Sequence, residues 1–201
     1  MRISATPVPC VDPPAFLIPV QMKPADLLDF WFSGESRKFW FDSSPAFDAR
    51  VRDGFEAPWR EASDGRLADW EATPDGALAL VILLDQMPLN MFRDQPAGYS
   101  TEALSREVAG RAIELGFDER LGDAQKVFLY MPYMHSETLS DQDRAVELFA
   151  QAGLAVNARW AEHHRGIVRR FGRFPHRNAI LGRKSTAAEL EWLASSDAFR
   201  P

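Results

Sequence analysis

Residues 77–84, ALALVILL, constrain this chain more than any other stretch: eight consecutive apolar residues closed by Asp85 and Gln86. Thr73 and Pro74 supply an N-cap and a first-turn proline, so the segment reads as a helix opening there and running to about Met87, with Pro88 following. A helix that is apolar nearly all round belongs at the centre of a fold. It delivers the carboxylate of Asp85 to the negative end of its own dipole, at a cost of about 0.3–1 kcal/mol when exposed. Burial costs more unless a cation or several donors face the group.

One segment offers such cations. No acidic residue occurs from His163 to Ala188, a window that holds Arg165, Arg169, Arg170, Arg173, Arg177, Arg183 and Lys184. It carries +7 in a chain of formal net charge −6. Trp160, His164, Ile167 and Phe171 share one helix face, which puts His164 in an apolar stripe and turns His163 away from it. Gly172 ends that helix, and Pro175 biases Phe174 away from helical geometry. The turn "RFPHRN" is then free to aim Arg173, His176, Arg177 and Asn178 at one point, and the expected target is Asp85, paired with Arg173 or Arg177. One or two carboxylates would leave guanidinium charge over for an anion. The bland counterpart is a structural ion pair with solvated arginines around it, as expected for Arg169 and Arg170.

Helix signals dominate the rest. Pro24 opens a helix bearing Leu27, Leu28 and Trp31; Ser44-Pro45 opens a second, which Pro58 kinks or divides. Further helices follow Ser100 or Thr101, Asp123, Ser140 and Leu154, and Thr186 with Glu189 forms a capping-box pattern before a last one. There is no convincing strand alternation and no Asn-Gly hairpin. The expected fold is all-α: about eight to ten helices in a single domain over residues 22–201, with short connections between antiparallel neighbours.

Residues 1–21 carry five prolines and read as an extended or disordered arm, with Met22 as an alternative start. No apolar run approaches the ~20 residues that span a bilayer, so no membrane partner is expected and a cytoplasmic location is. Cys10 is the single cysteine, which removes internal disulfides and cysteine-based zinc sites. The acidic balance argues against nucleic acid as a partner.

A second polar group, His135, Glu137, Asp141 and Gln142, falls at a helix–helix connection. His135 and Glu137 match no recurrent metal motif, so capping and packing are expected there, with no metal and no cofactor. Trp31, Phe32, Phe39, Trp40 and Phe41 read as core and lid packing.

Four pieces, "DFWF" (29–32), "LALVILLDQMPLNMFR" (78–93), "FLYMPYMHSE" with "DQD" (128–143) and "HRGIVRRFGRFPHRNAILGR" with "ST" (164–186), carry a resemblance. Together they resemble the bacterial family catalogued as domain of unknown function 924. The resemblance implies a helical fold similar to tetratricopeptide-like hairpins, and it implies no activity. The family usually shows arginine after the proline of "DQ-x-P", where this chain has Leu89; Arg93 stands nearby.

Two functional readings follow. In the first, a small anionic ligand sits among Asp85, Gln86, Asn90, Arg93, His135, Glu137, His164, Arg173, His176, Arg177 and Asn178. Arginines would hold the anion, and His135 or His176 would move a proton if chemistry occurs. No nucleophile motif or phosphate-binding glycine loop names a reaction. In the second, the protein is a helical adaptor for a peptide or protein partner, and the Arg/Asp cluster is purely structural.

Overall fold

The computed structural model describes residues 22–195 and 198. The expected arm, residues 1–21, lies outside the described residues. Those described form α1 (Pro24–Trp31), α2 (Pro45–Ser63), α3 (Pro74–Val81), α4 (Met87–Met91), α5 (Glu102–Glu114), α6 (Asp123–Met134), α7 (Leu139–Gln151), α8 (Ala155–Phe171) and α9 (Ala187–Ala194). A π turn, Ile82–Gln86, joins α3 to α4, so these run on as one helix and the fold counts eight. Among the described residues there is no strand. No helix among them is long and apolar enough to cross a membrane.

Several local signals act as the sequence suggests. The Ser44 hydroxyl caps α2 by accepting from Phe47 N, and Thr73 caps α3 by accepting from Gly76 N. Thr186 and Glu189 complete a reciprocal capping box at α9. Gly172 ends α8 at φ 71°, a left-handed conformation that costs glycine nothing. Gly76 is required by space, since a Cβ there would lie 2.0 Å from the Trp70 carbonyl oxygen.

Helices α3 and α4 with the π turn occupy the centre. Leu78, Val81, Ile82, Leu83 and Met87 are fully buried, packed with Trp31 of α1, Val51 of α2, Phe128 of α6 and Phe149 of α7. Each such aliphatic side chain contributes about 1.5–3 kcal/mol by leaving water. A smaller cluster of Ile167, Val168, Phe174 and Trp192 ties the chain after α8 to α9.

Pro58 lies inside α2, so of the kink or division expected there the division does not occur. The expectation at Pro88 fails: it does not follow the end of the central helix. It sits in the first turn of α4, and the π turn just before it absorbs the mismatch. A proline lacks the N–H that would bond the carbonyl four residues back, here Leu84. That carbonyl accepts instead from the Thr101 hydroxyl at 2.6 Å. Asp85 and Gln86 therefore lie within a continuous helix, and the dipole-end cost expected for Asp85 does not arise.

Candidate functional site

The π turn places Asp85 against α6. Asp85 is fully buried, and its carboxylate meets His135 Nδ1 at 2.9 Å and accepts from Gln86 Nε2 at 2.5 Å. The expected pairing with an arginine is corrected: among the described residues no guanidinium lies within ion-pair distance of Asp85. Burial pulls the His135 pKa down, but the charge and hydrogen bond of Asp85, with the charge of Glu102, outweigh it and raise the value above 6.5. A carboxylate on Nδ1 fixes the ring and leaves Nε2 as the nitrogen turned away from it.

The arginines of the basic segment find partners far off in sequence. Arg173 makes a two-point contact with Glu189 at 2.7 and 2.9 Å, and Glu189 is held at about 2 chiefly by that bond. Arg183 makes a similar contact with Glu137 at 2.6 and 2.9 Å. Glu137 also accepts from Phe174 N at 2.7 Å, which pins the turn. Burial raises the Glu137 pKa, but Arg183 and the Phe174 amide prevail and lower it. Arg165 and Arg169 both approach Asp143. The surplus of positive charge expected in this segment is thus largely matched by acids from other elements.

Arg177 differs. It is 6% exposed, and its one hydrogen bond runs from Nη1 to Glu102 Oε2 at 3.0 Å. Its guanidinium lies 4.7 Å from the Tyr99 ring centre and 4.8 Å from that of Phe174. A guanidinium has five N–H donors, so four are unmet by protein groups, the buried Nε–H among them. Burial raises the Glu102 pKa, with the Asp85 charge pushing the same way, against Arg177 and His135.

A third carboxylate stands at the far side. Asp48 accepts from Arg93 at 2.6 and 3.1 Å, from Asn90 at 2.8 Å and from Ser43 at 2.7 Å. Burial raises its pKa, but these donors reverse the effect and lower it.

Ser43, Asn90, Arg93, Tyr99, His135 and Arg177 line a cavity of about 690 Å³. Of the residues expected at a site, Gln86, Asn90, Arg93, His135, His164, His176 and Arg177 line it. Asp85 stands behind His135, while Glu137, Arg173 and Asn178 are not in its wall. Asn178 bonds Ser185 at 3.1 Å, and Arg173 is turned to Glu189. His164 and His176 are held neutral mainly by burial, at about 4 and about 3. His164 is buried as the stripe requires, and His163 is half-buried.

Tyr99, Ser43 and the exposed residues Phe41, Val156 and Trp160 were not foreseen at a site. Trp160 carried a signal, one turn before His164 on the same face. Glu102 carried none, since it meets Arg177 across 75 residues. Among the described residues, no group of three or more His, Cys, Asp or Glu is placed to hold a metal ion.

The family described as "Bacterial protein of unknown function (DUF924)" matches residues 27–197. The chain belongs to this family. The match spans the whole lining of the cavity, from Phe39 to Arg177. ATU0120 from Agrobacterium tumefaciens, a protein of unknown function whose structure is known, is 40% identical to this chain. The likeness has a TM-score of 0.81 and covers 85% of this chain and 96% of that one. No curated protein matches the chain. Leu89 lies in the cavity wall.

Proposed function

We propose that this protein binds a small anionic molecule in the cavity, with Arg177 as the anchor. The observation that carries the reading is the buried guanidinium of Arg177, with one hydrogen bond for five donors, in a concave wall beside a histidine whose pKa is raised. Taking a guanidinium out of water costs several kcal/mol, which partners must offset. One carboxylate and two aromatic faces do so in part, and an anion would engage the remaining Nη donors, though not the buried Nε–H. The cavity falls within the ~300–1,000 Å³ common for small-ligand sites.

His135 is the group suited to exchange a proton with such a ligand, because Asp85 orients it and raises its pKa. His176, held neutral at about 3, can offer hydrogen bonds without charge. Arg173 and Arg183, bound by their own carboxylates, have a structural role in this reading.

A thermal-shift screen against phosphate, small carboxylates, nucleotides and short peptides tests the proposal. A ligand confined to the native state adds about 2.7 kcal/mol of stability at 100 times its dissociation constant. The expected result is a shift with at least one small anion that Arg177→Met abolishes and Arg183→Met leaves in place. A shift with peptides alone would replace the reading with the adaptor alternative.

A further inference from the structure

The cavity has a mixed lining: Arg177, His135, Gln86 and Asn90 are polar, while Phe39, Trp40, Met131 and Met134 are apolar. Its most exposed apolar lining residues are Phe41, 73% exposed, Val156, 57% exposed, and Trp160, 50% exposed. Six large hydrophobic residues are conspicuously exposed among those described, and half of them line this one cavity. Scattered apolar side chains are ordinary on a surface, whereas a cluster lining one cavity marks a place where apolar matter docks.

Charge narrows the head group. Arg93 is already bound twice by Asp48, and Arg177 faces Glu102 with Asp85 close enough to act on Glu102 by charge. Even with His135 protonated, these two guanidinium groups and one imidazolium face three carboxylates, and Asp42 also lines the cavity, so there is no surplus of positive charge. A doubly charged phosphate would lose hydration without matching positive charge, and the site has no glycine-rich loop to supply backbone donors. A single negative charge with two acceptor oxygens suits the unmet Nη donors of Arg177.

Resting on the anion-binding reading, we infer that the ligand is an amphipathic monocarboxylate: one carboxylate at Arg177 and His135, and an aromatic or aliphatic body lying out towards Phe41, Val156 and Trp160. The body gains affinity from apolar area and ring contacts, and the head sets orientation.

The test is isothermal titration of the full chain with acetate, octanoate, benzoate and 2-naphthoate, with octanamide, benzamide and 2-naphthamide, and with inorganic phosphate and phenyl phosphate. Octanoate or 2-naphthoate should bind at least about tenfold tighter than acetate and than its own amide, a 1.4 kcal/mol difference. Trp160→Ser and Phe41→Ser, at exposed positions where folding is undisturbed, should each weaken that carboxylate severalfold and leave acetate unchanged. Arg177→Lys should weaken every carboxylate and spare the amides. If acetate or phosphate binds as well as the apolar acids, or if phenyl phosphate binds best, the inference is overturned while the anion reading stands. If amides match their acids, the anion reading falls. Silence from the whole panel overturns both.

Discussion

Arg173 and Arg177 stand four residues apart in one turn of chain, yet they live in different worlds. Arg173 has three hydrogen bonds, two to Glu189 and one to the Lys184 carbonyl. Arg177 is the more buried of the two and has one. Arg183, a few residues on, resembles Arg173: two bonds to Glu137 and one to the Phe174 carbonyl. The difference teaches how to separate scaffold from site inside a single basic segment. Net charge cannot do it, since both kinds of arginine have carboxylate partners. The count of satisfied donors does so by degree: Arg183 also leaves its buried Nε–H unmet, but it has three bonds where the more buried Arg177 has one.

The comparison is broken hardest at its two buried carboxylates. Arg177→Met strands Glu102, and Asp85→Asn deprives His135 of its counter-charge. Each should lower stability by roughly 3 kcal/mol, the low end for breaking a buried pair, because Glu102 and His135 can change protonation instead. Equilibrium urea denaturation at pH 7 measures both. A loss below about 0.5 kcal/mol for either would place that group with ordinary surface residues.

A pH series sharpens it next. The folded pKa of His135 is raised, so its contribution is complete below about 6.5 and is lost as pH climbs through the folded value. His164 and His176 have lowered values, about 4 and about 3, so the fold prefers them neutral. Their contribution is present above 6.5 and falls as the solution is acidified, by up to about 2 kcal/mol each at pH 5. Stability should therefore peak near pH 6.5. Replacing His164 with Asn should flatten the acid limb, and replacing His135 with Asn the alkaline limb. Denaturation midpoints from pH 5 to 8 decide this, and a wild-type curve that keeps rising from 6.5 to 8 would count against the Asp85–His135 pairing.

Arg183→Met should cost less than Arg177→Met, about 1–2 kcal/mol, because both partners keep a quarter of their surface in water. It should leave ligand binding intact once folded. The smallest effect is expected at Arg170, which lies over the Phe171 ring on the outside of α8. Arg170→Ala should stay within about 0.5 kcal/mol. A larger loss there would mean that the segment acts through its total charge rather than through individual pairings.

Much of the architecture was legible because its signals are local. Ser44 with Pro45, Thr73 with Pro74, Gly172, and Thr186 with Glu189 all announce helix ends within four residues. The register of Trp160, His164 and Ile167 correctly separated His164 from His163. Much of the cavity's polar lining, Gln86, Asn90, Arg93, His135, His176 and Arg177, falls among the residues the sequence marks as candidates. The pairings were not legible. Asp85 meets a histidine 50 residues away, and Asp48 meets Arg93 across 45. Nothing local points Glu102, Glu137 or Glu189 to the arginine it meets. The π turn was hidden for a different reason: Pro88 signals an end to α-helical bonding, and the chain answered by widening one turn instead of stopping.

That wider turn makes the helix a spliced shaft. One residue more than the α repeat is wound in, so everything beyond it is rotated by roughly 100° from where an unbroken α-helix would put it. Asp85 and Gln86 serve His135 on one side of the splice, while Asn90 and Arg93 reach Asp48 on the other. Excising a single residue there would restore regular winding and could leave the apolar packing of α3 unchanged. It would also swing Asn90 and Arg93 out of the wall they now build. The cavity is thus keyed to one supernumerary residue, and a deletion that improves the helix would dismantle the floor.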